Sequence, residues 1–140
     1  MAFMEWDERF GIGILKVDEE RKQLIQILNA LFDGMKPQTW DEYLEGLLKE
    51  LYEGLLRHAR TEEDIFSRLD CPKKQENKVE LFRIIEILKE FIQEYHEKKV
   101  GISIQILAFL SGWLKSHFLV FHHDYRAFLK EEKRLLAPAS

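Results

Sequence analysis

Residues 42–66 read EYLEGLLKELYEGLLRHARTEEDIF. Leu44, Leu48, Leu51 and Leu55 recur in steps of three and four, which puts them on one face of an α-helix. Thr39-Trp40-Asp41-Glu42 precedes the run with capping-box spacing, Thr followed three residues later by Glu, and predicts the helix start. Pro72 predicts the end near Leu69. Carried past Leu55, the same steps land on His58 and Glu62, then on Ile65 or Phe66. A histidine and a glutamate therefore share a face that must be buried.

The rest of the chain follows the same logic. Asp18 reads as the N-cap of a first helix that ends at Gly34 and Pro37, with Val17, Leu24, Leu28, Leu31 and Met35 on its stripe. A third helix spans about Lys74–Lys98, with Leu81, Ile85, Leu88, Ile92 and Tyr95. A fourth runs from about Ile102 to Arg134, with Leu107, Leu110, Leu114, Phe121 and Phe128. Short links between apolar stripes predict an all-α fold, an antiparallel up-down-up-down four-helix bundle. Residues 1–17, with Gly11 and Gly13, read as an irregular N-terminal arm, and 137–140 as a frayed tail. One domain, 1–140, is expected.

Composition narrows the function classes. The 140 residues carry 21 Lys and Arg against 25 Asp and Glu, with no basic block, so nucleic acid is not an expected partner. One cysteine, Cys71, excludes an internal disulfide framework and a Cys-rich zinc site. No secretion leader or membrane-length apolar run is visible, so a cytoplasmic location without a membrane partner is expected. No nucleophile–base constellation or phosphate loop supports an enzyme class.

The residues that carry chemistry interrupt the stripes. On helix 4 the position after Leu114 is His117, and His122 lies on the shoulder of the same stripe. On helix 1 Arg21 falls between Val17 and Leu24. Uncompensated, such groups cost several kcal/mol each, so they need partners. Two solutions stand open. His58, Glu62, His117 and His122 can converge on one metal ion, with imidazole and carboxylate donors that suit Fe, Zn or Mn. Otherwise the same groups form a polar core in which Arg21 forks onto Glu62.

Several motifs resemble the hemerythrin family. The arm Trp6-x6-Gly13-Ile14-x2-Val17-Asp18 resembles its entry segment. His58-Ala59-Arg60-Thr61-Glu62-Glu63 resembles its H-F-x-x-E-E motif. Trp113-Leu114-x2-His117-Phe118-x3-His122-x2-Tyr125 resembles W-L-x-x-H-I-x-x-x-D-x-x-Y. Cys71-Pro72 and Phe82 fall on its third-helix segment. The resemblance implies a four-helix bundle around a di-iron centre that binds O2, held by five histidines and two bridging carboxylates. This sequence keeps His58, Glu62 and His117. The other ligand positions fall on Arg21, Gln75, Val79 and His122, and the last of these turns a shared carboxylate into a one-metal ligand. The resemblance thus implies a reduced, mononuclear site of His58, Glu62, His117 and His122, with Fe as the first expectation and O2 or another small diatomic as ligand. Tyr125, Tyr52 and Gln75 are candidates to orient the imidazoles. Two alternatives are a metal-free binding or regulatory module built around an Arg21–Glu62 pair, and a di-iron O2 carrier with non-standard ligands. Of the remaining histidines, His123 reads as solvated and His96 as a charge at the C-terminal end of helix 3.

Overall fold

The computed structural model describes residues 2–35, 40–68, 73–120 and 130. Four helices follow one another: α1 (Leu15–Gly34), α2 (Glu42–Arg68), α3 (Lys74–His96) and α4 (Ile104–Val120). They form the antiparallel four-helix bundle, and no strand occurs among the described residues. None of the described helices is long and apolar enough to cross a membrane. The expected continuation of helix 4 to Arg134, with Phe121 and Phe128, lies outside the described residues apart from helical Lys130.

The predicted stripes are the core. Leu24, Leu28 and Leu31 of α1 pack with Leu44, Leu48, Leu51 and Leu55 of α2, Ile84, Ile85, Leu88 and Tyr95 of α3, and Leu107, Leu110 and Leu114 of α4, and Leu81 of α3 is buried as well. Each fully buried aliphatic side chain is worth about 1.5–3 kcal/mol of transfer free energy. At Gly54 the first two helices pack tightly: a Cβ there would meet Leu24 Cδ2 at 3.0 Å.

Helix ends differ from expectation where a side chain has another use. Asp18 does not begin α1, which starts one turn earlier at Leu15. Its carboxylate instead accepts the Ile12 N–H at 2.8 Å and the Gly13 N–H at 3.2 Å. That ties the arm to the helix, and Gly13 takes the left-handed φ of +85° that the turn requires. The capping threonine at 39 lies outside the described residues; Asp41 accepts the Leu44 N–H at 3.0 Å and caps α2. At α4 the Ser103 hydroxyl accepts the Ile106 N–H at 3.3 Å. α3 closes at His96, two residues short of expectation, with Lys98 in the left-handed region.

The arm is irregular but not loose. It contains a short 3₁₀ turn (Glu8–Phe10), and it buries Met4, Phe10 and Ile12. Asn29 clasps Met4 through both backbone groups, at 2.7 and 2.8 Å. Phe10 lands against Phe118 of α4, ring centroids 5.5 Å apart. This lays the arm against Arg21, whose guanidinium donates to the Phe10 carbonyl.

Candidate metal centre

Four of the residues that broke the stripes meet inside the bundle. Arg21, His58, Glu62 and His117 are all buried. Their positions follow from helix geometry: His58 and Glu62 are one turn apart on α2, and α1 and α4 bring Arg21 and His117 to the same level.

Glu62 is the hub. Its Oε1 lies 2.6 Å from His58 Nε2, 3.0 Å from Arg21 Nη2 and 3.4 Å from His117 Nε2. Its Oε2 accepts from Asn77 Nδ2 of α3. One donor atom each from His58, Glu62 and His117 falls within 4.8 Å of the others, a spacing that can hold a metal ion. The contact between His58 Nε2 and Glu62 Oε1 is off the line of a good hydrogen bond. Two lone-pair atoms 2.6 Å apart repel unless a positive centre, a proton or a metal ion, is shared between them.

The surroundings fix the donors. Glu20 Oε1 lies 3.3 Å from His58 Nδ1, and Thr61 Oγ1 donates to Glu20 Oε2 at 2.8 Å. A carboxylate on one imidazole nitrogen holds the ring in place and directs the other nitrogen inward. The His117 ring stacks on Trp113 with centroids 5.0 Å apart and planes 8° from parallel. Arg21 donates from Nη1 to the Phe10 carbonyl at 2.7 Å and lies 4.9 Å over the Phe118 ring.

Charge follows from these contacts. Burial alone would raise the Glu62 carboxyl, but His58 and His117 beside it outweigh burial and hold it well below the usual carboxylate range. Burial works against a charge on His58, yet Glu62 and Glu20 prevail and shift it upward. His117 moves down, because burial there exceeds the pull of Glu62, which favours the neutral imidazole a metal requires.

No protein-family model matches the chain. A bacteriohemerythrin of Clostridium acetobutylicum is 27% identical over 124 residues, spanning 86% of this chain and 96% of that one. A hemerythrin-like protein of Naegleria gruberi is 26% identical over 124 residues, 89% and 92% of the two chains. Among solved structures, a hemerythrin mutant superposes with a TM-score of 0.83 over 92% of this chain and 98% of its own, at 18% identity. A wild-type hemerythrin superposes with a TM-score of 0.78 over 89% and 99%, at 17% identity. The chain is hemerythrin-like.

Within that hemerythrin-like frame the third helix corrects one expectation. Gln75 and Val79 are exposed, so neither faces the cluster. The pair at the same spacing that does face inward is Asn77 and Leu81, two residues later. Asn77 was legible: it lies one helical step of four before Leu81 on the apolar stripe. Glu20 and Thr61 were missed although each lies on steps of three and four, Glu20 between Val17 and Leu24 and Thr61 three residues after His58; Arg21 and Glu62 beside them drew the reading. Tyr52 packs as a half-buried neighbour of the core, and the group that meets His58 is Glu20. His122 and Tyr125 lie outside the described residues, as does His123. His96 has a specific partner rather than only a helix end: its Nδ1 lies 2.7 Å from Glu45 Oε1 of α2.

Proposed function

We propose that this hemerythrin-like chain binds a single metal ion through His58 Nε2, Glu62 Oε1 and His117 Nε2. The observation that carries the reading is the convergence of these three buried donors within 4.8 Å. The donor set suits Fe, Zn or Mn, and the likeness to hemerythrins makes iron the first choice. His122, five residues beyond His117 on the expected continuation of α4, is proposed as a fourth donor. When bound, the ion supplies a Lewis-acid or redox centre open to O2 or another small diatomic. The protein groups have separate parts: Glu20 orients His58, Arg21 and Asn77 hold Glu62, and Phe10, Phe118 and Trp113 keep bulk water out. A two-ion centre needs more donors than the described residues bring together.

Elemental analysis of protein purified without added metal tests this. One ion per chain is expected, with loss in both His58→Ala and His117→Ala. Unchanged metal content in both variants overturns the assignment.

A second reading rests on one observation, the Arg21–Glu62 ion pair at 3.0 Å with both side chains at most 1% exposed. A guanidinium in that place can replace a metal as the counter-ion of Glu62. The chain is then a metal-free binding or regulatory module. Protein that carries no metal and takes up none after chelation and reconstitution supports this reading against the first.

A further inference from the structure

The outer side of α4 is open to solvent and almost free of charge. Ile104, Gln105, Ala108, Phe109, Gly112 and Ser116 are all exposed. At about 100° per residue they fall within about 140° of one helix side. Two of them are large and apolar, Phe109 at 47% and Ile104 at 44% exposed. A Cβ on Gly112 would meet no heavy atom within 4 Å, so the surface there is an open notch, one turn from Phe109. Lys115 is the only Lys, Arg, Asp or Glu between 104 and 120, and it falls at the edge of this face, beside Ile104.

Charge selects the occupant. The outer sides of the other helices are charged; on α3 alone Lys74, Glu76, Arg83, Glu86, Lys89 and Glu90 face solvent. A second copy of a chain with net charge −4 brings like charges to those sides and almost none to this one. The face also complements itself. Two α4 helices laid antiparallel, with a two-fold axis between Leu110 and Ser111, bring Phe109 of each onto Gly112 of the other and Gln105 onto Ser116. A ring then meets a notch, and an amide meets a hydroxyl, at both ends of one isologous contact. A single helix face about 25 Å long covers less than the roughly 800 Å² per partner of a stable interface, so the pair should come and go with concentration.

We propose that the outer face of α4 is the contact between two copies of this chain, with Phe109 of each seated on Gly112 of the other in a two-fold, antiparallel pair of helices. The contact does not depend on the metal reading, because His117 lies on the buried side of the same helix.

The test is sedimentation equilibrium of the protein as purified, from about 10 µM to about 1 mM. The mass of one chain at the low end, rising towards twice that mass at the high end, is expected. In NMR of the ¹⁵N-labelled chain over the same range, dilution shifts should centre on amides 104–116. Phe109→Lys and Gly112→Glu each put a charge into the contact and should weaken association at least about ten-fold. Mixed in equal amounts the two variants should restore it, because one half of the contact then pairs the two introduced charges and the other half keeps Phe109 on Gly112. A chain that stays single throughout the range overturns the proposal and leaves the face to a different protein. Dilution shifts centred elsewhere, or a mixture that associates no better than its components, overturn it as well. The dilution series uses the unaltered chain, so it decides the matter even where a variant folds poorly.

Discussion

Replacing Arg21 with Met removes the buried cation while keeping most of its volume. In the native structure the guanidinium is fully buried, pairs with Glu62 at 3.0 Å and donates to the Phe10 carbonyl at 2.7 Å. Removing one partner of a buried pair costs about 3–5 kcal/mol, because the other charge remains in a poor solvent for it. Glu62 retains His58 and Asn77, which favours the lower end of that range. The orphaned Phe10 carbonyl adds about 1 kcal/mol. The sum is roughly 4 kcal/mol. A chain of 140 residues loses about 3–4 °C of melting temperature per kcal/mol, so Tm should fall by roughly 10–15 °C. Urea unfolding of chelated protein at neutral pH measures the loss, with the slope checked for constancy between variants. The double variant Arg21→Met, Glu62→Gln should recover part of it, since the stranded charge is gone. A loss below about 1 kcal/mol, with no coupling between the two positions, would refute the reasoning.

Further outcomes follow from the same geometry. Arg21→His restores an imidazole where the hemerythrin resemblance puts one and removes a cation from the site; metal affinity should rise at least about ten-fold in a competition titration with a chelator. Glu20→Gln keeps the side-chain shape but weakens the hold on His58 Nδ1, so metal should still bind at one ion per chain with about 10–100-fold lower affinity. At the other end of the bundle, burial pushes the Glu45 carboxyl up, but hydrogen bonds from His96 and Trp40 and the charge of Lys49 outweigh it and leave it lowered. A carboxyl lowered in the folded state stabilises the protein above its unfolded pKa, and that contribution is lost as pH falls through the folded value. Glu45→Gln should therefore lower Tm at neutral pH and above, with the gap to the unaltered protein closing as pH falls through the acid limb.

The bundle was legible because every helix repeats its leucines at helical spacing, and the same repeats place His58, Glu62, His117 and Arg21 inward, where the structure has them. Register was harder. In α3 the resemblance pointed to Gln75 and Val79, while the stripe of Leu81 and Leu88 pointed to Asn77, and packing followed the stripe. Local signals misled where one side chain could serve two purposes. Asp18 looks like a helix cap, but its carboxylate is worth more to the Ile12 and Gly13 amides of the arm. Glu20 could not be assigned from its own helix, since its partners, His58 and Thr61, come from α2 and only tertiary packing brings them within reach.

Crystals grown with iron and probed by anomalous scattering at the metal edge give the most direct measurement of all. One peak about 2.0–2.3 Å from His58 Nε2, His117 Nε2 and Glu62 Oε1 is the expected result. A peak on the surface alone, or a map in which the Arg21 guanidinium remains against Glu62 with no peak between the imidazoles, would contradict a metal centre in this bundle.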